Sequence, residues 1–368
     1  MTRNMKLAII LPTYNERESL PLVIRKIEEC LKGLTDFEII VVDDNSPDGT
    51  GLVAEALRNV YGNIKVVHRP SKMGLATAVL EGIRHTDANV LAVMDADMQH
   101  PPGLLPKLLE EIGKGSDIVI ASRYCPGGGV SGWSLWRLLV SKVATKLAHV
   151  LLPRTVSIKD PLSGYFMFKR RVIDGKELNP LGMKILLEIL CKGDYNRVTE
   201  VPYTFMPRRT GRSKMGMSAY LRYLKHIFRL MRERKEHVRI MRFCTVGAIG
   251  VLINEGLLWL ITELMKVYYL VSAIFSIEAS ILSNFALNEA WTFSDLSSSN
   301  NPLSVLRRLV RYHLVSLGGL LVNLLTLWVL TNLAGIYYLI SNIIGIILAT
   351  AWNYALNVTW TWNVGVLK

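Results

Sequence analysis

Cysteine and glutamine are the scarce residues of this 368-residue chain. Its four cysteines, Cys30, Cys125, Cys191 and Cys244, stand far apart, with no C-x-x-C and no histidine at ligand spacing. That argues against structural zinc and a disulfide framework and points to a reducing compartment. Gln99 is the only glutamine, so motifs built on a second one cannot be present. No G-x-G-x-x-G follows the first apolar strand, which disfavours a dinucleotide-dependent dehydrogenase. No signal peptide is expected, because the apolar segment Leu7–Leu11 is short and enters a soluble pattern at once. Charge is the last shortage: residues 239–368 hold only seven Lys/Arg and five Asp/Glu.

The rest of the chain is charged and basic. The net charge is +13, with a pI near 9.6 and a mean hydropathy of +0.28. An anionic partner is expected, and nucleic acid, anionic lipid and phosphorylated substrates share that sign. Most of the excess lies in residues 205–242, which carry twelve Lys/Arg against two Glu. A basic band directly before an apolar region reads as a membrane-surface belt, not as a nucleic-acid groove.

The apolar third is a duplication. At an offset of 69 residues Arg242-Phe243 falls on Arg311-Tyr312, Asn254 on Asn323, Trp259 on Trp328, and Tyr268-Tyr269-Leu270 on Tyr337-Tyr338-Leu339. Asn284–Asn288 and Trp291-Thr-Phe293 match Asn353–Asn357 and Trp360-Thr-Trp362 in the same frame. Each copy holds two apolar stretches of about 20 residues, the length that crosses a hydrocarbon layer. The predicted spans are 242–264, 269–291, 312–333 and 337–360. Two parallel hairpins follow, related by an axis along the membrane normal. Basic residues precede the first and third spans (Arg232, Arg234, Lys235, Arg239 and Arg242; Arg307, Arg308 and Arg311), while the hairpin tips offer only Lys266. The positive-inside rule places the N-terminal region in the cytoplasm. The repeated asparagines suit interhelical hydrogen bonds. The unrepeated Glu255, Glu278 and Glu289 are candidates by their position within the spans.

Residues 1–238 alternate apolar strands with helical patterns. Lys6–Leu11, Glu38–Val42, Ile64–His68, Val90–Met94 and Ile118–Ala121 read as strands, with helices between them, so a mostly parallel, helix-covered sheet is expected. Polar clusters follow the strands one after another, at the carboxyl ends where such sheets bind ligands. In Asp95-Ala-Asp97-Met-Gln99, an extended backbone would aim residues 95, 97 and 99 the same way. Two carboxylates and an amide oxygen suit Mg²⁺ or Mn²⁺ better than zinc.

The series LPTYNERESLP, VVDDNSPDGT, SKMGLATAV, DADMQHPP, ASRY-PGGGVSGW and PLSGYFMFKR resembles the family-2 glycosyltransferases with the GT-A fold. Within them it is most similar to the polyprenyl-phosphate sugar synthases of the dolichyl-phosphate mannose synthase type. Residues 239–368 resemble the GtrA-like four-helix membrane domains. The resemblance implies a GT-A catalytic domain over 1–215, a basic amphipathic linker helix over 216–238, and the membrane domain over 239–368. It implies transfer of mannose from GDP-mannose, with inversion, to dolichyl or polyprenyl phosphate, yielding a lipid-linked donor for glycan assembly such as protein glycosylation.

Carried over residue by residue, Pro12, Tyr14, Glu16, Asp43 and Asp44 would hold the guanosine. Asp95, Asp97 and Gln99, with Ala96 between them, would hold the divalent metal and the pyrophosphate. Arg208 and Lys214, in the Pro207–Lys214 segment, would be phosphate ligands, and Lys184 a further donor contact. The catalytic set is Asp97 with Arg123, Arg137, Ser141 and Arg208. A phosphate monoester has a second pKa near ~6 and is already a dianion at pH 7. Its oxygen can attack C1 without a general base, and cations should hold it. Arg123, which also counts as a donor contact, Arg137, Ser141 one turn later and Arg208 are the candidates.

Two segments, Gly132–Leu152 and Ala219–Arg234, interleave apolar and basic residues at helical spacing, the composition of helices lying in a membrane interface. Three other readings stay open at this point. A processive polysaccharide synthase would need Q-x-x-R-W, which is absent. A lipid-linked sugar translocase would use the repeats for transport. A glucosyl enzyme would take UDP-glucose instead of GDP-mannose.

Overall fold

The computed structural model describes residues 5–207, 217–297 and 301–362. They divide into two compact units, one of residues 5–148 and 157–230, the other of residues 149–156 and 231–362.

The first unit is built on strands β1 (Lys6–Thr13), β2 (Asp36–Asp43), β3 (Ile64–His68), β4 (Val90–Val93) and β5 (Ile118–Ser122). They alternate with helices α1 (Leu20–Leu31), α2 (Thr50–Tyr61), α3 (Leu75–Arg84) and α4 (Leu105–Gly113). A two-residue strand β6 (Gly129–Val130) and helix α5 (Leu135–Leu151) follow. Then come β7 (Phe166–Lys169), α6 (Ile185–Lys192), β8 (Val198–Pro202), β9 (Thr204–Phe205) and α7 (Met217–Glu233).

The seven-stranded sheet has the order β3-β2-β1-β4-β7-β5-β8. All pairs are parallel except those of β7, which runs antiparallel to both β4 and β5. Strand alternation sends Leu7, Ile9 and Leu11 to the core under α1 and α4, and Ala8 and Ile10 to the core under α3 and α6. Both faces are therefore covered, which is why the strands read as unbroken apolar runs. In register, Thr13 lies opposite Asp43 and Asp43 opposite His68, so the polar loops leave the sheet along one edge. Strands β6 and β9 pair on their own and tie the Gly-rich loop after β5 to the segment ending at Met206.

Helix α5 leaves Leu135 87 % and Trp136 72 % exposed, with Leu139 and Val143 also exposed. Helix α7 exposes Leu221, Leu224 and Phe228 but buries His226, Ile227 and Leu230. The apolar residues that interleave with basic ones in Ala219–Arg234 do not share a single open face. Instead the helix carries two apolar sides, one packed inward through Ile227 and Leu230, the other open.

The second unit is helical: α8 (Glu236–Trp259), α9 (Tyr269–Leu287), α10 (Pro302–Trp328) and α11 (Tyr338–Leu356). Each ends in a π-helical turn, at Leu260–Leu264, Asn288–Thr292, Val329–Leu333 and Asn357–Thr361. With those turns the four segments, Glu236–Leu264, Tyr269–Thr292, Pro302–Leu333 and Tyr338–Thr361, are long and apolar enough to span a membrane. The first and third begin earlier than predicted, because the basic stretches before the predicted spans continue the helix.

The repeat recurs in the packing. A Cβ on Gly250 would collide with Asn284, and one on Gly319 with Asn353, so glycine lets each hairpin close around its asparagine. Asn254 accepts from Ser276 (3.0 Å) and Asn288 donates to Tyr312 (3.3 Å), the interhelical bonds expected of them. Glu289 is bound by Arg308 through two contacts (3.0 and 2.5 Å) and by the Trp362 indole N–H (2.7 Å), which gives it a structural role. Glu278 pairs with His313 at 3.0 Å.

Candidate active site

Three loops leave the carboxyl edge of β1, β2 and β4 and enclose the candidate site. After β2 the two aspartates diverge. The Asp43 carboxylate accepts from Thr13 Oγ1 (3.2 Å), Ser46 Oγ (2.5 Å) and Ser46 N (2.9 Å), which folds the DDNSPDG turn. Asp44 is ion-paired with Arg69 and accepts from Gly74 N at 2.9 Å, which joins that turn to the loop before α3. Pro12 is buried, Tyr14 and Glu16 are half-buried, and Lys72 Nζ lies 3.9 Å from the Tyr14 ring centroid. Sequence-predicted nucleoside residues thus gather beside β1 and β2, with Asp43 and Asp44 already organising the loops that carry the others.

The turn after β4 differs from its expected form. Residues 95–100 are not extended: Met98 has φ +64°, and Gln99 N donates to Asp97 Oδ1 (3.0 Å). Simple alternation therefore does not carry from Asp95 through Gln99. Asp97 and Gln99 are buried and Asp95 partly so, and Gln99 Nε2 donates to Met206 O (3.0 Å), binding the turn to the segment after β9. Among the described residues no three His, Cys, Asp or Glu side chains converge on one point. The donors present are oxygens on two carboxylates and one amide. That set fits a hard cation that takes one or two carboxylates and completes its shell with phosphate oxygens and water.

His100 closes this turn and was not foreseen as a site residue. Its Nδ1 accepts from Asp95 N at 3.0 Å. The ring stacks on Tyr165 and meets Tyr203 and Phe205 edge-on, and burial pushes its pKa down to about 4. A neutral ring is what that acceptor role requires. Gly164 permits the approach: a Cβ there would stand 3.3 Å from His100 Cε1 and 3.7 Å from Asp95 Oδ2.

The cations come from elsewhere in the chain. Arg123, following β5, is buried and grips Asp160 with Nε (2.8 Å) and Nη2 (2.7 Å). Its backbone N–H also donates to Asp160 (3.0 Å). Asp160, absent from the sequence-based set, is fully buried and is placed by Glu200, which accepts from its N–H at 3.0 Å. Against its own desolvation, the Asp160 bonds keep Arg123 ionised by raising its pKa.

Arg137 lies over the Trp133 ring at 4.2 Å, and Ser141 accepts from Tyr124 OH at 2.7 Å. Lys184, the cap residue of α6, donates to Leu162 O (2.7 Å). Burial pushes its pKa down to about 8; the Arg123 charge adds to that and Asp160 and Asp95 oppose it. Arg123 lies 5.5 Å from the Trp133 ring centroid, so both arginines flank that ring, and 5.9 Å from the centroid of Phe205, the ring that meets His100. Arg208 and Lys214 lie outside the described residues.

Sequence comparison fixes the family. Residues 8–175 match the Glycosyl transferase family 2 profile and residues 242–362 match the GtrA/DPMS transmembrane domain. A dolichol-phosphate mannosyltransferase of Pyrococcus furiosus is 45 % identical over 97 % of this chain and 99 % of its own. The chain belongs to the dolichol-phosphate mannosyltransferase family. It is a family-2 glycosyltransferase and a multi-pass membrane protein. A polyprenol monophosphomannose synthase of Mycolicibacterium smegmatis is 39 % identical over 57 % of this chain and 81 % of its own. Among solved structures, glucosyl-3-phosphoglycerate synthase of Mycobacterium tuberculosis, in complex with Mn²⁺, UDP-glucose and phosphoglyceric acid, is 20 % identical. It has a TM-score of 0.48 and covers 63 % of this chain and 80 % of that one. This chain has the expected architecture, a GT-A domain followed by two repeated helical hairpins.

Proposed function

We propose that this glycosyltransferase moves mannose from GDP-mannose to the phosphate of a polyprenol such as dolichol. The product is dolichyl β-D-mannosyl phosphate, formed with inversion at C1, and the catalytic unit faces the cytoplasm. The observation that carries the reading is the pair Arg123 and Arg137, which flank Trp133 and reach the Asp95–Gln99 turn through Phe205 and His100. The names of the relatives, dolichol-phosphate mannosyltransferase and polyprenol monophosphomannose synthase, support the same sugar and acceptor class.

Nucleoside and pyrophosphate bind along the loops after β1, β2 and β4, with Pro12, Tyr14, Glu16, Asp43 and Asp44 around the guanosine. Asp95, Asp97 and Gln99 hold a divalent cation, Mg²⁺ or Mn²⁺, whose chemistry is to neutralise charge on the departing diphosphate. Lys184 adds a positive charge to the same group. Arg123, fixed by Asp160, and Arg137, laid on Trp133, receive the acceptor phosphate, with Ser141 beside them; Arg208 and Lys214 complete the donor contacts. The acceptor is a dianion at neutral pH, so no side chain has to remove a proton. Preorganised cations opposite developing charge supply the stabilisation. The lipid tail runs along the open apolar faces of α5 and α7.

The test is sugar transfer by the purified chain in detergent, with dolichyl phosphate as acceptor. Labelled GDP-mannose and UDP-glucose are offered separately, each with and without EDTA. EDTA-sensitive labelling from GDP-mannose alone is expected. Labelling from UDP-glucose alone would replace the donor, and no transfer by folded, lipid-binding protein would favour translocation.

A further inference from the structure

The membrane unit carries a duplicated feature outside the residues proposed for catalysis. Arg242 on α8 and Arg311 on α10 hold the same place in the two repeats. Each guanidinium lies 5.5 Å from the centroid of an indole, Trp291 and Trp360 respectively. Each also donates from Nη1 to that tryptophan's carbonyl oxygen, at 3.3 and 2.9 Å. The two indoles are 42 % and 41 % exposed.

The neighbouring arginines one turn earlier are treated differently. Arg239 and Arg308 are also repeat partners, yet both are ion-paired: Arg239 with Glu236 (3.1 Å) and Asp295 (2.7 Å), Arg308 with Glu289 (2.5 Å). Among the described residues neither Arg242 nor Arg311 meets a carboxylate. The aromatic two residues beyond each exposed tryptophan, Phe293 or Trp362, is fully buried. One pair of arginines is thus neutralised inside the unit, while the other stays cationic at the same end of both hairpins, each beside an exposed indole.

The pair is kept in both copies. Several other positions have diverged between the repeats, Cys244 against His313, Glu255 against Leu324 and Glu278 against Ile347. The two indoles are exposed and Arg242 and Arg311 half-buried, and the residues and their geometry agree in both repeats. A half-buried arginine beside an exposed tryptophan, near the end of a spanning segment, suits headgroup depth, where indoles partition. There the remaining donors of a guanidinium form a fork that matches phosphate oxygens.

We propose that Arg242–Trp291 and Arg311–Trp360 are two equivalent clamps for the phosphate of an anionic phospholipid, one per repeat, which pin the hairpins to one leaflet. The inference is independent of the sugar and acceptor proposed above.

Native mass spectrometry of the full chain, titrated with phosphatidylglycerol or with zwitterionic phosphatidylcholine, tests it. Two phosphatidylglycerol molecules should be retained in preference to phosphatidylcholine. One arginine near the surface contributes about 1 kcal/mol, so R242Q and R311Q should each weaken one site about fivefold, and the double variant should lose both. K266Q, which removes a charge at a hairpin tip, should leave retention unchanged. Thermal unfolding with and without phosphatidylglycerol separates a merely structural bond: the variants should lose the lipid-induced rise in Tm while keeping the lipid-free Tm. Unchanged retention in the double variant would overturn the proposal, as would an equal loss in K266Q. An equal fall of Tm with and without lipid, or displacement of the lipid by millimolar inorganic phosphate, would do the same.

Discussion

Arg123 and Asp160 form a two-point ion pair (2.8 and 2.7 Å) in which the carboxylate is fully buried and the guanidinium nearly so. Side-on binding through Nε and Nη2 fixes the guanidinium plane and leaves Nη1 and the far side of Nη2 as the donors that can meet a ligand. A guanidinium held this way is oriented rather than mobile, as the acceptor role proposed for Arg123 requires.

Removing one partner strands the other without its counter-charge. D160N should lower stability by about 3–5 kcal/mol and abolish transfer. The double variant R123M/D160L should recover most of the stability, because two apolar residues of similar size replace the pair, while transfer stays absent. Thermal unfolding and a transfer assay on the same preparations separate the two effects.

Lys184 should give the site an alkaline limit. Burial, with the Arg123 charge beside it, brings its pKa down to about 8, so the lysine is cationic below that pH and neutral above it. KM for the donor should rise as pH increases through 8, and K184R, charged throughout, should remove that limb. A KM that is flat from pH 7 to 9 in the unaltered enzyme would contradict the assignment.

Much of this was readable from the sequence, for identifiable reasons. The first five strands announce themselves as apolar runs because both faces of the sheet are buried, and the duplicated hairpins show in a fixed offset of 69 residues. Strand β7 does not: Phe166–Lys169 enters antiparallel between β4 and β5, and nothing local to a four-residue segment encodes its partners. Asp160 was overlooked because its role depends on Arg123, 37 residues away in the chain. His100 adjoins Gln99 in the DADMQHPP motif, so the signal was present, but its role comes from a turn that Met98 makes with a positive φ. Side-chain alternation along residues 95–99 assumed an extended backbone that this turn replaces.

A second buried carboxylate links stability to acid. Glu188 on α6 is fully buried. Desolvation favours its neutral form, but bonds from His226 (3.2 Å), Lys192 (2.7 Å) and Asn179 N (2.8 Å) outweigh it and hold its pKa at about 2. A folded-state value below the ordinary 4.5 means stability that is complete above 4.5 and lost as pH falls toward 2. E188Q should be less stable at neutral pH and should flatten the acid limb of the Tm profile between those values.

In the membrane unit, Glu289 joins Arg308 to Trp362 and has no acidic counterpart in the second repeat, where Val358 stands. E289Q should destabilise the chain by about 2 kcal/mol through weakened charge-assisted hydrogen bonds. Transfer per folded molecule should be unchanged. A specific loss of turnover at full stability would give Glu289 a functional role instead.

The acceptor provides the most direct test. Dolichyl phosphate and the free alcohol dolichol are offered in parallel with labelled GDP-mannose and metal, and the anomeric configuration of the lipid product is read by NMR. If cations receive a dianion that needs no deprotonation, labelled product should come from the phosphate alone, in the β configuration. Transfer to the free alcohol at a comparable rate, or an α-linked product, would contradict the central claim.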